Sequence, residues 1–181
     1  MRTVSLLARW DQLASRHLNR SNHHLPGELF AVVSRLGDGW IWFALMGILP
    51  IIYGAPGGAV AVAMLVTGAV GTWVYKWLKA VTHRPRPCDR HSGLLLTVAP
   101  LDNFSFPSGH TMHAVSFTII AGWCFPVLLG ILAPFTLLVA LSRLVLGLHY
   151  LSDVIAGAAL GGMFASLAVA VLRAAGLEGL A

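Results

Sequence analysis

Ser142-Arg143-Leu144-Val145-Leu146-Gly147-Leu148-His149-Tyr150-Leu151-Ser152-Asp153 sets an arginine, a histidine and an aspartate between two strongly apolar segments. On one side lie residues 111–142, 32 positions without a formal charge, and on the other Val154 to Leu172. Apolar segments of that length read as membrane-spanning helices. A charge at membrane depth costs roughly 2.5–3.5 kcal/mol on insertion scales, so charges kept there usually mark function. His149 and Asp153 are four apart, which on a helix puts them on one face. A carboxylate so placed can hold one imidazole nitrogen as N–H and leave the other free to attack. The same pair could instead cap or staple a helix, and this stretch alone does not choose.

Composition fixes the class. Of 181 residues, 57% are hydrophobic and 10% charged, against roughly 25% charged in a soluble domain; mean hydropathy is +0.77. The expectation is an all-α polytopic membrane helix bundle forming one domain over residues 1–181. Residues 1–36 are its N-terminal interfacial region and 37–175 its catalytic helix bundle. The net charge of +5 raises the question of nucleic acid. No basic stripe with interleaved aromatics lies on a soluble module, so nucleic acid is not an expected partner. Cys88 and Cys124 are far apart and form no recognisable metal or redox motif. Val4 to Ala8 is too short for the apolar core of a signal peptide, so targeting is expected to rest on the first spanning helix.

Residues 1–24 read as a basic amphipathic helix, with Leu6, Leu7, Trp10, Leu13, Ala14 and Leu18 opposite Arg2, Arg9, Arg16 and Arg20. That pattern suits a helix lying among anionic headgroups; packing on its own protein is the alternative. Trp40 to Tyr53 is apolar but only 14 residues long, roughly 21 Å against a 30 Å hydrocarbon core. Ala55-Pro56-Gly57-Gly58 reads as a tight turn. Gly57 to Tyr75 gives a second span, ending in the aromatics Trp73, Tyr75 and Trp77. Residues 80–107 form a polar loop with four prolines, a length that is usually functional. As one helix, residues 111–142 would run about 48 Å, so a turn is expected at Trp123-Cys124-Phe125-Pro126, with Pro134 kinking the second half. Val154 to Leu172 closes the set at five spans, with six as the alternative, plus the interfacial helix. Five spans put the basic loop, Ser108-Gly109-His110 and Arg143–Asp153 on one membrane face.

Three groups can then meet. Lys79, Arg86 and Arg143 supply cations, His110 and His149 imidazoles, and Asp153 a carboxylate. Ser108 and Gly109 open a helix whose amides and dipole face an anion, and Gly109 has no side chain to obstruct it. Three cations without nearby carboxylate partners repel one another, and a bound phosphate resolves that repulsion. Only Asp89, Asp102 and Asp153 are at hand, too few for a magnesium or two-metal phosphatase site. His110, His113 and His149 could in principle hold zinc, but adjacent Arg and Lys disfavour a dication. No metal and no cofactor is expected.

The chemistry these residues suit is phosphoryl transfer through a covalent phosphohistidine. His149 attacks phosphorus while Asp153 orients it. Lys79, Arg86, Arg143 and the Ser108–Gly109 amides stabilise the equatorial oxygens. His110 protonates the leaving oxygen and then activates water. Ser108 could cap its helix, contact phosphate, or do both. His113 reads as a helix-packing histidine, Asp102 and Asn103 as loop caps, and the tryptophans as interfacial anchors.

The pattern Lys-x6-Arg-Pro, Pro-Ser-Gly-His and Ser-Arg-x5-His-x3-Asp resembles the type-2 phosphatidic acid phosphatase superfamily, which also contains vanadium haloperoxidases. It falls here at Lys79/Arg86/Pro87, Pro107/Ser108/Gly109/His110 and Ser142/Arg143/His149/Asp153, and covers roughly residues 76–160. Three spaced motifs in order are far more specific than one. Arg84-Pro85 is a second Arg-Pro pair, and spacing favours Arg86 as the phosphate clamp. The resemblance implies a metal-independent integral-membrane phosphatase acting on a lipid phosphate in the bilayer. Undecaprenyl pyrophosphate is the first substrate it suggests, with phosphatidylglycerol phosphate and phosphatidic acid as alternatives. Family members commonly have six spans, one more than counted here.

An anion channel or transporter is the rival from a different class. It predicts inverted repeats or charges spread through the spans, whereas these charges cluster at one face. The resemblance implies a bacterial-type inner-membrane protein with its site on the periplasmic face. Arg2, Arg9, Arg16, Arg20 and Arg35 would then lie outside too, against the positive-inside rule. Labelling Cys88 with an impermeant thiol reagent in intact cells distinguishes the two sides.

Overall fold

Gly54 folds the longest apolar stretch back on itself. The computed structural model describes residues 2–20, 25–90, 94, 98–100 and 102–177, and side chains from residue 9 onwards save those of 25 and 26. The tail of the expected N-terminal helix at 21–24, and residues 91–93, 95–97 and 101 of the expected loop thus lie outside the described residues, as do 178–181 and the side chains of Arg2, Leu6 and Leu7. The helices are α1 (Arg2–Asn19), α2 (Leu25–Leu36), α3 (Trp40–Thr82), α4 (Pro87–Arg90), α5 (Gly109–Cys124), α6 (Leu129–Val145) and α7 (Leu151–Ala174).

A straight α3 of 43 residues would span about 65 Å, twice a hydrocarbon core. Gly54 has φ 61° and ψ −138°, outside helical values, a conformation that glycine adopts without a Cβ clash. A Cβ on Gly57 would lie 2.0 Å from the Leu49 carbonyl oxygen, although eight residues of straight helix span about 12 Å. The chain therefore reverses, and residues 40–53 and 55–82 form a hairpin. The reversal sits at Gly54, one residue before the expected turn, because that glycine takes the positive φ.

Helix α5 occupies the middle. Met112, Ala114, Phe117, Ile120, Ala121 and Cys124 are buried, and the helix packs on α7, α3 and α6. Its seam with α7 is made of small residues at four-residue steps. A Cβ on Gly157 would lie 2.4 Å from the Ser108 carbonyl oxygen, and one on Gly161 2.4 Å from that of Met112; Ala165 follows, fully buried. Where lipid replaces water, close backbone packing of this kind holds helices together. Residues 111–142 do form two helices, broken at Phe125, and α6 continues through Pro134.

Large apolar side chains point outward instead, among them Ile51, Ile52, Val62, Leu167 and Val171. Among the described residues, three helices are long and apolar enough to cross a membrane: those within Trp40–Arg90, Pro126–Val145 and Leu151–Ala174. Trp10, Trp40, Trp73 and Trp77 are exposed, but Trp42 is buried against Phe117 and Phe135. The anchor expectation is corrected for Trp42, a core residue.

Helix α1 lies across the end of the bundle where α6 finishes and α7 begins. Asp11, Ser15 and Asn19, four apart, are buried, while Trp10 and Leu13 are exposed. The Asn19 amide donates to the Val145 carbonyl at 2.8 Å. The polar edge, not the apolar one, faces the protein.

Replacing Gly161 with Val tests the α5–α7 seam, since the clash is with backbone. Overpacking of this kind costs about 1–3 kcal/mol. The unfolding midpoint in detergent is expected to fall by about 2–12 °C, and an unchanged midpoint would contradict the seam.

Candidate active site

A cavity of about 580 Å³ has a polar end toward the part of the bundle covered by α1 and an apolar side between helices. Lys79, Arg86, Asp102, His110, Arg143 and His149 line its polar end, where Lys79, Arg86, Arg143 and His149 are buried; Trp42, Phe43, Met46, Leu65 and Phe117 line its apolar side between the arms of α3 and α5, where Phe43 and Leu65 are exposed.

The cations arrive from three elements. Lys79 is in the last turn of α3, Arg86 immediately precedes α4, and Arg143 is in the last turn of α6. The Lys79 ammonium donates to both Asp102 carboxylate oxygens at 2.9 and 2.7 Å. Arg86 donates from Nη2 to Asp102 Oδ1 at 2.7 Å, from Nε to the Asp102 carbonyl at 3.0 Å and from Nη1 to the Leu148 carbonyl at 2.7 Å. The expectation of cations without carboxylate partners is corrected for these two. Asp102 is no loop cap either: its carboxylate sits between them. Burial would raise the Asp102 pKa, but Lys79 and Arg86 outweigh it and hold the group below its usual range.

Arg143 is different. It is buried, its Nη1 donates to the Ser34 hydroxyl of α2, and its Nε has no partner. Among the described residues no carboxylate is within ion-pair distance of it. A buried guanidinium in that condition favours an anion in the adjoining cavity.

His149 precedes α7 and is not part of it, which corrects the expectation that it shares a helical face with Asp153. Gly147, at φ 69°, turns the chain, and the His149 amide bonds the Arg143 carbonyl at 3.1 Å. Asp153 caps the start of α7, its Oδ2 accepting from the Tyr150 amide at 2.8 Å. The same Oδ2 is 3.7 Å from His149 Nδ1. On the other side, Arg86 Nη1 is 3.3 Å from His149 Nε2. Arginine only donates, so Nε2 carries the lone pair and Nδ1–H points toward Asp153. Burial holds the His149 pKa well below the usual imidazole value, and Arg143, Arg86 and Lys79 depress it further.

His110, in the first turn of α5, pairs through Nε2 with Asp38 of the Gly37-Asp38-Gly39 link between α2 and α3. Gly109 lines the cavity beside Tyr75, whose ring a Cβ would meet at 3.3 Å. Ser108 is not among the lining residues. Its hydroxyl is 3.0 Å from that of Thr111, and its amide donates to the Asp153 carbonyl at 3.0 Å. His113 lines the cavity one turn below His110, 3.2 Å from the Thr72 hydroxyl and stacked on Phe117; it packs and faces the cavity at once. Arg84 does not line the cavity and pairs instead with Asp153 and with Asp11 of α1.

Asp38 and Asp11 are the groups that sequence reasoning passes over; it reads Asp102 as a loop cap and sets Arg84 aside in favour of Arg86. Asp38 carried a signal, a lone charge between two glycines ahead of an apolar run. Asp11 carried one too, as the acid in a basic helix.

Fold and site together are those of a helical bundle with membrane-length apolar helices and a cluster of buried cations and imidazoles around one cavity. Residues 57–176 match the PAP2 superfamily, and the chain belongs to that superfamily; it is a membrane lipid phosphatase. It is 30% identical over 150 residues to decaprenylphosphoryl-5-phosphoribose phosphatase of Mycobacterium tuberculosis, covering 75% of this chain and 76% of that one. It is 33% identical over 104 residues to lipid A 1-phosphatase of Rhizobium etli, covering 55% and 45% respectively. In three dimensions it resembles the PAP2-type phosphatidylglycerolphosphate phosphatase of Bacillus subtilis, with TM-score 0.73 and 24% identity over 90% of this chain and 84% of that one. LpxE of Aquifex aeolicus gives TM-score 0.72 and 24% identity over 86% and 92%.

Proposed function

We propose that this protein removes phosphate from a lipid phosphate or pyrophosphate through a phosphohistidine on His149. The observation that carries the reading is one cavity joining Lys79, Arg86, Arg143, His110 and His149 to an apolar wall between helices. The phosphoryl group takes the place of the Asp102 carboxylate between Lys79 and Arg86, and Arg143 gains the counter-ion it lacks. Nε2 of His149 forms the N–P bond as the bond from phosphorus to the lipid oxygen breaks. The departing oxygen takes a proton from His110. Asp153 stabilises the positive charge that develops on the His149 ring. His110, now neutral, takes a proton from water, which attacks phosphorus; the N–P bond breaks and inorganic phosphate leaves. Asp38 orients His110 for both turns. The Gly109 backbone adds the dipole of the α5 N-terminus.

Undecaprenyl pyrophosphate is the first substrate choice, with phosphatidylglycerol phosphate and phosphatidic acid as alternatives. The named relatives act on a decaprenyl-linked sugar phosphate and on lipid A, which supports a large lipid bearing a terminal phosphate. Residues 40–53, 55–82, 109–124, 126–145 and 151–174 make five crossings of a single catalytic unit. Helix α1 rests on the membrane surface at the site's end, with Trp10 and Leu13 turned to lipid. The site faces the periplasm in this reading.

Phosphate release from a panel of these lipids, by purified protein in detergent with excess chelator, tests the assignment. Release should persist in chelator, vanish in His149→Ala and fall by up to about 10⁴-fold in Asp153→Asn. His149→Ala with near wild-type turnover removes His149 as nucleophile, and no release from any lipid phosphate favours the anion-transport reading.

The neutral imidazole is the attacking form, and its lowered pKa keeps His149 neutral down to acidic pH. Activity is lost as pH falls through that value. The acid limb of kcat/KM, corrected for substrate ionisation, should lie below about 6.5. A limb above 6.5 contradicts it.

A further inference from the structure

Asp153 has two carboxylate oxygens, and the reaction described above uses one. Oδ2 takes the Tyr150 amide and faces His149. Oδ1 takes Arg84 Nη1 at 2.5 Å. Asp153 is fully buried, and a buried carboxylate needs a counter-charge. Among the described residues, Arg84 is the cation at ion-pair distance from it. The Arg-Pro-Arg-Pro stretch therefore divides its labour: Arg86 serves the cavity and Arg84 serves Asp153.

Arg84 is itself held from several sides. Nη1 also donates to the Ser152 hydroxyl at 2.7 Å, and the guanidinium lies 4.3 Å over the Tyr150 ring. Its carbonyl takes the Ser105 amide at 2.8 Å. Its Nη2 donates to Asp11 Oδ2 of α1 at 2.7 Å. Asp11 is buried, and it accepts from the Ser152 amide at 3.0 Å and hydroxyl at 2.6 Å. One carboxylate from α1 thus ties the arginine and the first turn of α7 together, directly behind the His149–Asp153 pair.

We propose that Arg84 and Asp11 are positioning residues for His149, Arg84 by fixing the far oxygen of Asp153 and Asp11 by fixing Arg84, so that α1 is part of the catalytic assembly. The inference rests on His149 and Asp153 acting as proposed above. A purely structural anchor for α1 would move stability and leave turnover per folded molecule unchanged; a positioning role moves kcat while KM stays, because neither residue lines the cavity.

The test is phosphate release by full-length Asp11→Asn, Asp11→Glu, Arg84→Lys and Asp11→Asn/Arg84→Lys proteins, beside wild type and His149→Ala, with unfolding midpoints. Asp11→Asn is expected to lower kcat about 10–100-fold, the scale of partners one shell out from a reactive imidazole, with KM within about twofold. Asp11→Glu should restore most of it. Arg84→Lys keeps the charge but cannot reach all its partners, so it should fall similarly. The double variant should fall no further than Arg84→Lys alone, since Asp11 acts through Arg84. If Asp11→Asn does not fold, Arg84→Lys carries the comparison. Wild-type kcat in Asp11→Asn or Arg84→Lys with inactive His149→Ala overturns the proposal, as does loss confined to KM. An active His149→Ala instead brings down the nucleophile assignment beneath it.

Discussion

Positive charge buried at one end of an apolar bundle is the constraint on which everything else depends. Lys79, Arg86 and Arg143 come from different helix ends and meet, buried, at one end of the cavity, where like charges repel. The protein offsets two of them with a single carboxylate, Asp102, while Arg143 has the Ser34 hydroxyl and, among the described residues, no carboxylate at ion-pair distance. That arrangement is coherent as a place for an incoming dianion. It makes poor sense as a structural core, where an uncompensated guanidinium would cost several kcal/mol.

The fold's task is to bring those ends together at a fixed height. The Gly54 reversal returns the chain so that Lys79 and the Gly37-Asp38-Gly39 link lie at the same end. Helix α5 runs down the centre, and the Gly157/Gly161/Ala165 seam lets α7 approach until the Ser108 amide reaches the Asp153 carbonyl. The histidine motifs at the starts of α5 and α7 are thereby locked in register by backbone contact. Bulkier side chains on that seam would move the two imidazoles apart.

Much of this was legible because motif spacing and hydropathy are local. The uncharged run at 111–142 demanded a break near Phe125, and the parity that followed put Lys79, Arg86, His110, Arg143 and His149 at one end. What escaped was partnership across sequence. Asp102 stood 23 positions from Lys79 and looked like a loop residue, and no periodicity says that a loop will fold its carboxylate into a cation pair. Asp11 and Arg84 are 73 positions apart, and the helical pattern of α1 suggests an apolar face toward protein or lipid without saying which edge docks. Ala55-Pro56-Gly57-Gly58 announced a turn, but only the backbone conformation shows that Gly54 is the residue that bends.

Helix α1 inverts the usual logic of an amphipathic segment, spending its polar edge on the bundle and keeping Trp10 and Leu13 outward. The proposed reaction turns on His149 Nε2 becoming bonded to phosphorus. The direct measurement is rapid mixing of the protein with a phosphorus-labelled lipid phosphate, alkaline quench to preserve an acid-labile phosphoramidate, and mass mapping of the labelled peptide. Label on His149 in the wild type, lost in His149→Ala, is the predicted result; rapid turnover with label elsewhere, or with none at any quench time, would contradict it.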